Sequence, residues 1–113
     1  MKKKKKILIV DDNTQIRKLL KTFLLKEGFD TVTAPNGIKL IGALKFHKPD
    51  LILLDIMMSW IDGYDLCKTI KGNKELKDIK VVFVSGKTTR DDIDKGYEVG
   101  CDDYITKPFS PRV

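Results

Sequence analysis

The sequence predicts a doubly wound α/β domain built on a mostly parallel five-stranded sheet, and three observations predict it. Apolar runs at 7–10, 51–54 and 81–84 have strand length without two-residue alternation, as strands buried on both faces do. The stretches between them carry apolar residues at helical spacing. Polar side chains follow the runs directly: Asp11 and Asp12 after the first, Asp55 after the second and Ser85 after the third.

The elements follow in order. Behind the first strand, Ile16, Leu19, Leu20, Phe23 and Leu24 keep the i, i+3, i+4, i+7, i+8 pattern of an amphipathic helix. Asn13 or Thr14 can cap its start and Gly28 its end. Residues 29–34, with Thr and Val, read as the second strand. Asn36-Gly37 has hairpin composition, yet Ile38, Ile41 and Leu44 keep helical order, so a helix is expected, ending before Pro49. Beyond the strand at 51–54, a third helix is expected at about 64–71. The strand at 81–84 is followed by a fourth helix at about 89–99, weakened by Gly96 and stopped by Gly100. A short last strand holds 104–107. The order βαβαβαβαβ implies right-handed crossovers with helices on both faces. Six residues follow Lys107, where such a fold normally closes with another helix, so the sequence is expected to be a piece of a longer chain, truncated before its last helix.

A chain of 113 residues, 42% of them hydrophobic, suffices for one core. Of its 22 Lys and Arg, five fall in Lys2 to Lys6, and without them the net charge of +6 nearly vanishes. Residues 1–6 are therefore expected to be a solvated basic tail on a domain at 7–113, with no direct binding of nucleic acid or membrane. Four apolar residues between the Lys run and Asp11 make neither a signal peptide nor a span, which points to the cytoplasm. Cys67 and Cys101 have no CxxC spacing and are expected to be small buried apolar residues. His47, near a helix end without a neighbouring carboxylate, is expected at the surface.

Ligands of open α/β sheets bind beyond the carboxyl ends of the strands, where these polar residues gather. Asp11, Asp12 and Asp55 would raise one another's pKa there unless a cation neutralised them. Mg²⁺ suits such oxygen ligands and commonly takes one or two carboxylates plus a phosphate oxygen. A remaining carboxylate is then free to attack phosphorus and form an acyl phosphate. The ammonium of Lys107 and the hydroxyl of Ser85 can hold the phosphoryl oxygens. Each residue alone has a plain structural reading as a helix cap, turn residue or solvated charge. The set is more specific, because chemistry and strand ends agree at four places.

Asp11-Asp12, Asp55, Ser85 and Lys107-Pro108-Phe109, at their spacings, resemble the receiver domains of two-component response regulators over nearly the whole chain. The resemblance implies the flavodoxin-like strand order 2-1-3-4-5. It implies Asp55 as phosphoacceptor, with Mg²⁺ held by Asp11, Asp12, Asp55 and the Met57 carbonyl. Ser85 and Lys107 would contact the phosphoryl group, and Tyr104 would swing inward with Ser85 on activation. A cis Lys107-Pro108 bond is implied as well. The phosphoryl donor would be a sensor histidine kinase or phosphotransfer protein, and a homodimer is a further implied partner. Ser59 and Ile61 depart from the family, which usually has Pro and Met there, and Trp60 is expected to be partly exposed packing.

Competing readings lack a residue each. Ser85-Gly86-Lys87-Thr88 looks like the end of a P-loop, but Val81 stands where its first Gly is needed. Phosphatases of the haloacid dehalogenase type use a second Asp where Met57 stands, so self-phosphorylation with slow hydrolysis is expected and not turnover of outside substrates. A constitutive interaction module would not need Asp55, Ser85 and Lys107, and a nucleic-acid binder acting through the Lys tail would bind with steep salt dependence.

Overall fold

The computed structural model describes residues 4–58 and 61–107. Five parallel strands, β1 (Lys6–Val10), β2 (Asp30–Ala34), β3 (Leu51–Leu54), β4 (Lys80–Ser85) and β5 (Asp103–Thr106), lie in the order β2-β1-β3-β4-β5. They alternate with α1 (Thr14–Lys26), α2 (Gly37–Leu44), α3 (Gly63–Gly72) and α4 (Arg90–Glu98). Class and strand order are those expected. Six strand bounds shift by one residue: β1 opens at Lys6, β2 opens at Asp30, β4 runs from Lys80 to Ser85, and β5 from Asp103 to Thr106, with Lys107 just beyond it.

The helices begin where side chains can satisfy free N–H groups. Asn13 caps α1 by accepting from Gln15 and Ile16, and Asn36 accepts from Lys39, so Asn36-Gly37 opens α2 and no hairpin forms. Asp62 caps α3, and Thr89 with Asp92 forms a reciprocal capping box on α4. Gly28 and Gly100, with φ of 92° and 103°, turn the chain out of α1 and α4 in a conformation that side chains with a Cβ resist.

Strand alternation divides the core. Leu8, Val10, Ile52, Leu54, Val81 and Phe83 face the side covered by α2 and α3, where Leu40, Leu66, Cys67 and Ile70 are buried with them. Ile7 and Ile9 face the other side and pack with Leu20 of α1. There Leu51 and Leu53 are half-buried and Ile105 is 39% exposed among the described residues. Both thiols lie in the larger core, as expected, and burial pushes Cys67 up to about 12 and Cys101 up to about 11. His47 is half-buried at the groove between β2 and α2, its Nδ1 3.4 Å from the Lys6 ammonium. Ser59, Trp60 and the Lys107-Pro108-Phe109 segment beyond Lys107 lie outside the described residues.

Candidate functional site

Parallel register brings the carboxyl ends of β1, β3 and β4 level. Val10 pairs with Leu54 and Leu54 with Phe83, so Asp11 and Asp55 come out level, with Ser85 one residue further along β4. Asp11 leaves β1 with its N–H on the Ala34 carbonyl, and Asp55 leaves β3 with its N–H on the Val10 carbonyl. These bonds fix both carboxylates by main chain. Asp11 and Asp55 are 2% and 5% exposed, whereas Asp12, the next residue round the turn, is exposed.

Lys107 reaches this pair from β5, anchored by its N–H on the Ser85 carbonyl. Its Nζ lies 2.8 Å from Asp11 Oδ2 and 3.5 Å from Asp55 Oδ2. The first distance is a charge-assisted hydrogen bond and the second mainly a charge contact. Burial and then the Asp11 charge raise the Asp55 pKa, and Lys107 only partly opposes them. Burial lowers the Lys107 pKa, but the Asp11 hydrogen bond and the two carboxylate charges outweigh it and hold the ammonium above its ordinary value. Among the described residues, one ammonium faces two buried carboxylates and a third exposed one, and the Arg17 guanidinium is turned to the Asp11 main-chain carbonyl.

Asp11, Asp12 and Asp55 each bring one oxygen within 4.8 Å of the others, a spacing that can hold a metal ion. Hard carboxylate oxygens at an edge open to water fit a hexacoordinate divalent cation such as Mg²⁺. Met57 is 60% exposed beside them and its N–H donates to Asp55 Oδ1 at 3.2 Å. Ser85, fully buried at the end of β4, accepts from Lys87 N–H at 3.2 Å. Tyr104 is half-buried, its hydroxyl donating to the Lys87 carbonyl at 2.6 Å and its ring centroid 5.9 Å from that of Phe83. The structure thus brings the expected residues to one edge, with Tyr104 one layer below.

Three supporting residues escape a sequence reading. Arg17 donates to the Asp11 carbonyl and holds the turn that carries the acids. Gly63 lies so close under the β3 loop that a Cβ would sit 2.5 Å from Ile56 Cα and 2.7 Å from the Asp55 carbonyl oxygen. Tyr64 is buried, donates to the Asp92 carbonyl at 2.9 Å and carries the Lys95 ammonium 4.6 Å above its ring. A buried Tyr needs a partner, which the sequence signals, but which carbonyl serves depends on how α3 meets α4.

The family model of the response regulator receiver domain matches residues 7–113. The chain belongs to this family. Among the relatives of this receiver domain, the alkaline phosphatase synthesis transcriptional regulatory protein PhoP of Bacillus subtilis is 41% identical over 96% of the chain and 44% of its own length. The nisin biosynthesis regulatory protein NisR of Lactococcus lactis is 48% identical over 93% of the chain and 44% of its own length. The receiver domain therefore spans less than half of these relatives, whereas it covers 78% of protein PilG of Pseudomonas aeruginosa, at 40% identity over 93% of the chain. The solved chemotaxis response regulator CheY4 of Vibrio cholerae superposes with a TM-score of 0.90 at 25% identity, covering 96% of this chain and 91% of that one. Among the described residues no helix is long and apolar enough to cross a membrane.

Proposed function

We propose that this receiver domain is a phosphorylation switch, in which Asp55 takes a phosphoryl group from the phosphohistidine of a sensor histidine kinase or phosphotransfer protein. One observation carries the reading: a buried carboxylate stands 3.5 Å from an ammonium and beside two further acids. An Asp55 oxygen attacks phosphorus, the P–N bond of the donor breaks, and the leaving imidazole nitrogen regains its proton from water. Asp11, Asp12, Asp55 and the Met57 carbonyl would hold Mg²⁺, which supplies the positive charge that lets an anionic donor approach these acids. Lys107 and Ser85 bind the phosphoryl oxygens once they arrive. Lys107 needs only to turn from Asp11, and the Ser85 hydroxyl to leave Lys87 N–H.

The added charge redistributes two populations. In one, Tyr104 holds the Lys87 carbonyl. In the other, Ser85 and the loop after it are drawn to the phosphoryl group and Tyr104 repositions. The domain itself turns over no outside substrate beyond hydrolysis of its own acyl phosphate. It works in the cytoplasm on an effector or partner, and control of transcription is the output that the name of PhoP suggests.

The test is incubation with acetyl phosphate and Mg²⁺ followed by mass spectrometry. One phosphoryl adduct is expected, dependent on Mg²⁺ and missing in Asp55→Asn. A folded protein that gains no adduct, or gains it equally in the Asn variant, overturns the reading.

A further inference from the structure

The outward side of β2, opposite the main-chain bond that holds Asp11, combines three features. First, it is unguarded. β2 closes the strand order, and its sequence, Asp-Thr-Val-Thr-Ala, contains neither the Lys nor the Pro that usually blunts an edge. Asp30 N–H bonds the Lys5 carbonyl and the Ala34 carbonyl accepts from Asp11. In a parallel strand, N–H and C=O of one residue point the same way and alternate along the chain. Thr31 and Thr33 therefore aim their main-chain groups away from β1.

Second, an apolar groove of about 500 Å³ lies beside this edge, between β2 and α2. Val32 lines it from the strand, with Ile38 and Phe46 from the helix side. Ile38 is 56% exposed and Phe46 85%, the largest exposure of any large apolar residue described. Third, the chain that lines the groove is basic, the one carboxylate of the edge strand being Asp30 at its first residue. From Thr31 to Pro49 the chain has no Asp or Glu, while Lys39 stands along the groove and Lys45 and Lys48 flank Phe46.

We propose that this edge is a docking surface for an extended, acid-flanked apolar segment of a partner protein, which adds to β2 as a further strand. Main-chain bonds to Thr31 and Thr33 supply the register, alternate side chains enter the groove against Ile38 and Phe46, and flanking carboxylates meet Lys39, Lys45 and Lys48. The three ammonium groups decide the chemistry of the occupant, since Lys39, Lys45 and Lys48 outnumber the single carboxylate of Asp30 and favour an acidic flank. Asp55 lies two strands away, so docking does not require its phosphorylation.

The probe is an end-blocked peptide alternating Val and Thr between pairs of Glu, with a control carrying Lys for Glu. Binding is followed by amide NMR and hydrogen exchange on the intact chain. Thr31 and Thr33 amides are expected to become protected, with affinity falling about tenfold or more in Phe46→Ser, as loss of a buried Phe implies. Lys39→Glu with Lys45→Glu is expected to weaken the acidic probe and admit the Lys control. All three positions are exposed, and the Mg²⁺-dependent adduct at Asp55 in each variant checks that the fold survives. Equal binding of the two peptides, or no change at Thr31 and Thr33, overturns the proposal. So does a dimer in sedimentation that Phe46→Ser dissolves, which makes the occupant a second copy, or Phe46-dependent binding to anionic vesicles without peptide binding.

Discussion

At the scale of single residues, the site rests on how few atoms separate chemistry from clash. Gly63 is the sharpest case, because a methyl there would fall 2.5 Å from Ile56 Cα, where only backbone can yield. Gly63→Ala is expected to cost about 1–3 kcal/mol in denaturant unfolding and to slow phosphoryl uptake by displacing Asp55. Wild-type stability in that variant would mean that the β3 loop is looser than its contacts. Lys107 has the opposite character, being positioned by charge. Lys107→Ala is expected to leave uptake on Asp55 intact while abolishing the spectral change at Tyr104 that follows it, and a normal change there would remove Lys107 from the coupling. The acids, Ser85 and Lys107 were legible in the sequence because each stands at or just beyond a strand end, and strand ends are marked by a change from apolar to polar. Gly63, Arg17 and Tyr64 were not, since their work is done on main-chain atoms of other elements that no spacing rule locates.

Among the elements, one carboxylate ties three of them. Asp102, at the start of β5, accepts from the Lys71 ammonium of α3 at 2.7 Å and from Val81 N–H of β4 at 2.8 Å. Burial raises its pKa, but these two bonds and the Lys71 and Lys80 charges outweigh it and leave it below the ordinary 3.8. A depressed folded pKa adds stability that is present above the unfolded value and lost as pH falls through the folded one. Asp102→Asn is thus expected to cost about 1 kcal/mol near neutrality, a figure kept low because the side chain is 32% exposed. In chemical unfolding the gap between the proteins should close below about pH 4, and a gap independent of pH would assign the loss to packing. On α4, Thr89→Ala removes the cap that Asp92 reciprocates and should lower stability by about 1 kcal/mol. Thermal unfolding checks it, and an unchanged midpoint would show that α4 is held by its packing alone.

Element boundaries came out of the sequence to within a few residues wherever a cap or a glycine marked them, as at Asn13, Gly28 and Gly100. They drifted by one at β1, β2, β4 and β5; at β1, β4 and β5 the cause is that hydrophobicity does not register Lys6, Lys80, Ser85 or Asp103, whose main chains join the sheet while their side chains stay polar.

For the whole molecule, binding at the acids should be visible as stability. With Mg²⁺ at about a hundred times its dissociation constant, unfolding is expected to be harder by about 2.7 kcal/mol, an effect that chelation reverses and Asp11→Asn diminishes. A melting temperature indifferent to Mg²⁺ would remove the metal from the proposed mechanism. The strand order was legible only through the family resemblance, since the local pattern gives the alternation of strands and helices but not which strands are neighbours.

The uneven placement of charge reaches beyond any one surface. Among the described residues up to Lys48, ten Lys and Arg face four carboxylates, and from Pro49 onward nine face twelve. The first group folds into the β2 side of the sheet, while α4 and β5 lie at the other end. The domain is therefore an electric dipole laid across its own strands. In the field of a charged macromolecule it experiences a torque before it makes any contact, and rotational diffusion becomes biased. An acidic body would be met by the β2 side and a basic one by the β5 side, with the edge that carries Asp55 between the two and covered by neither.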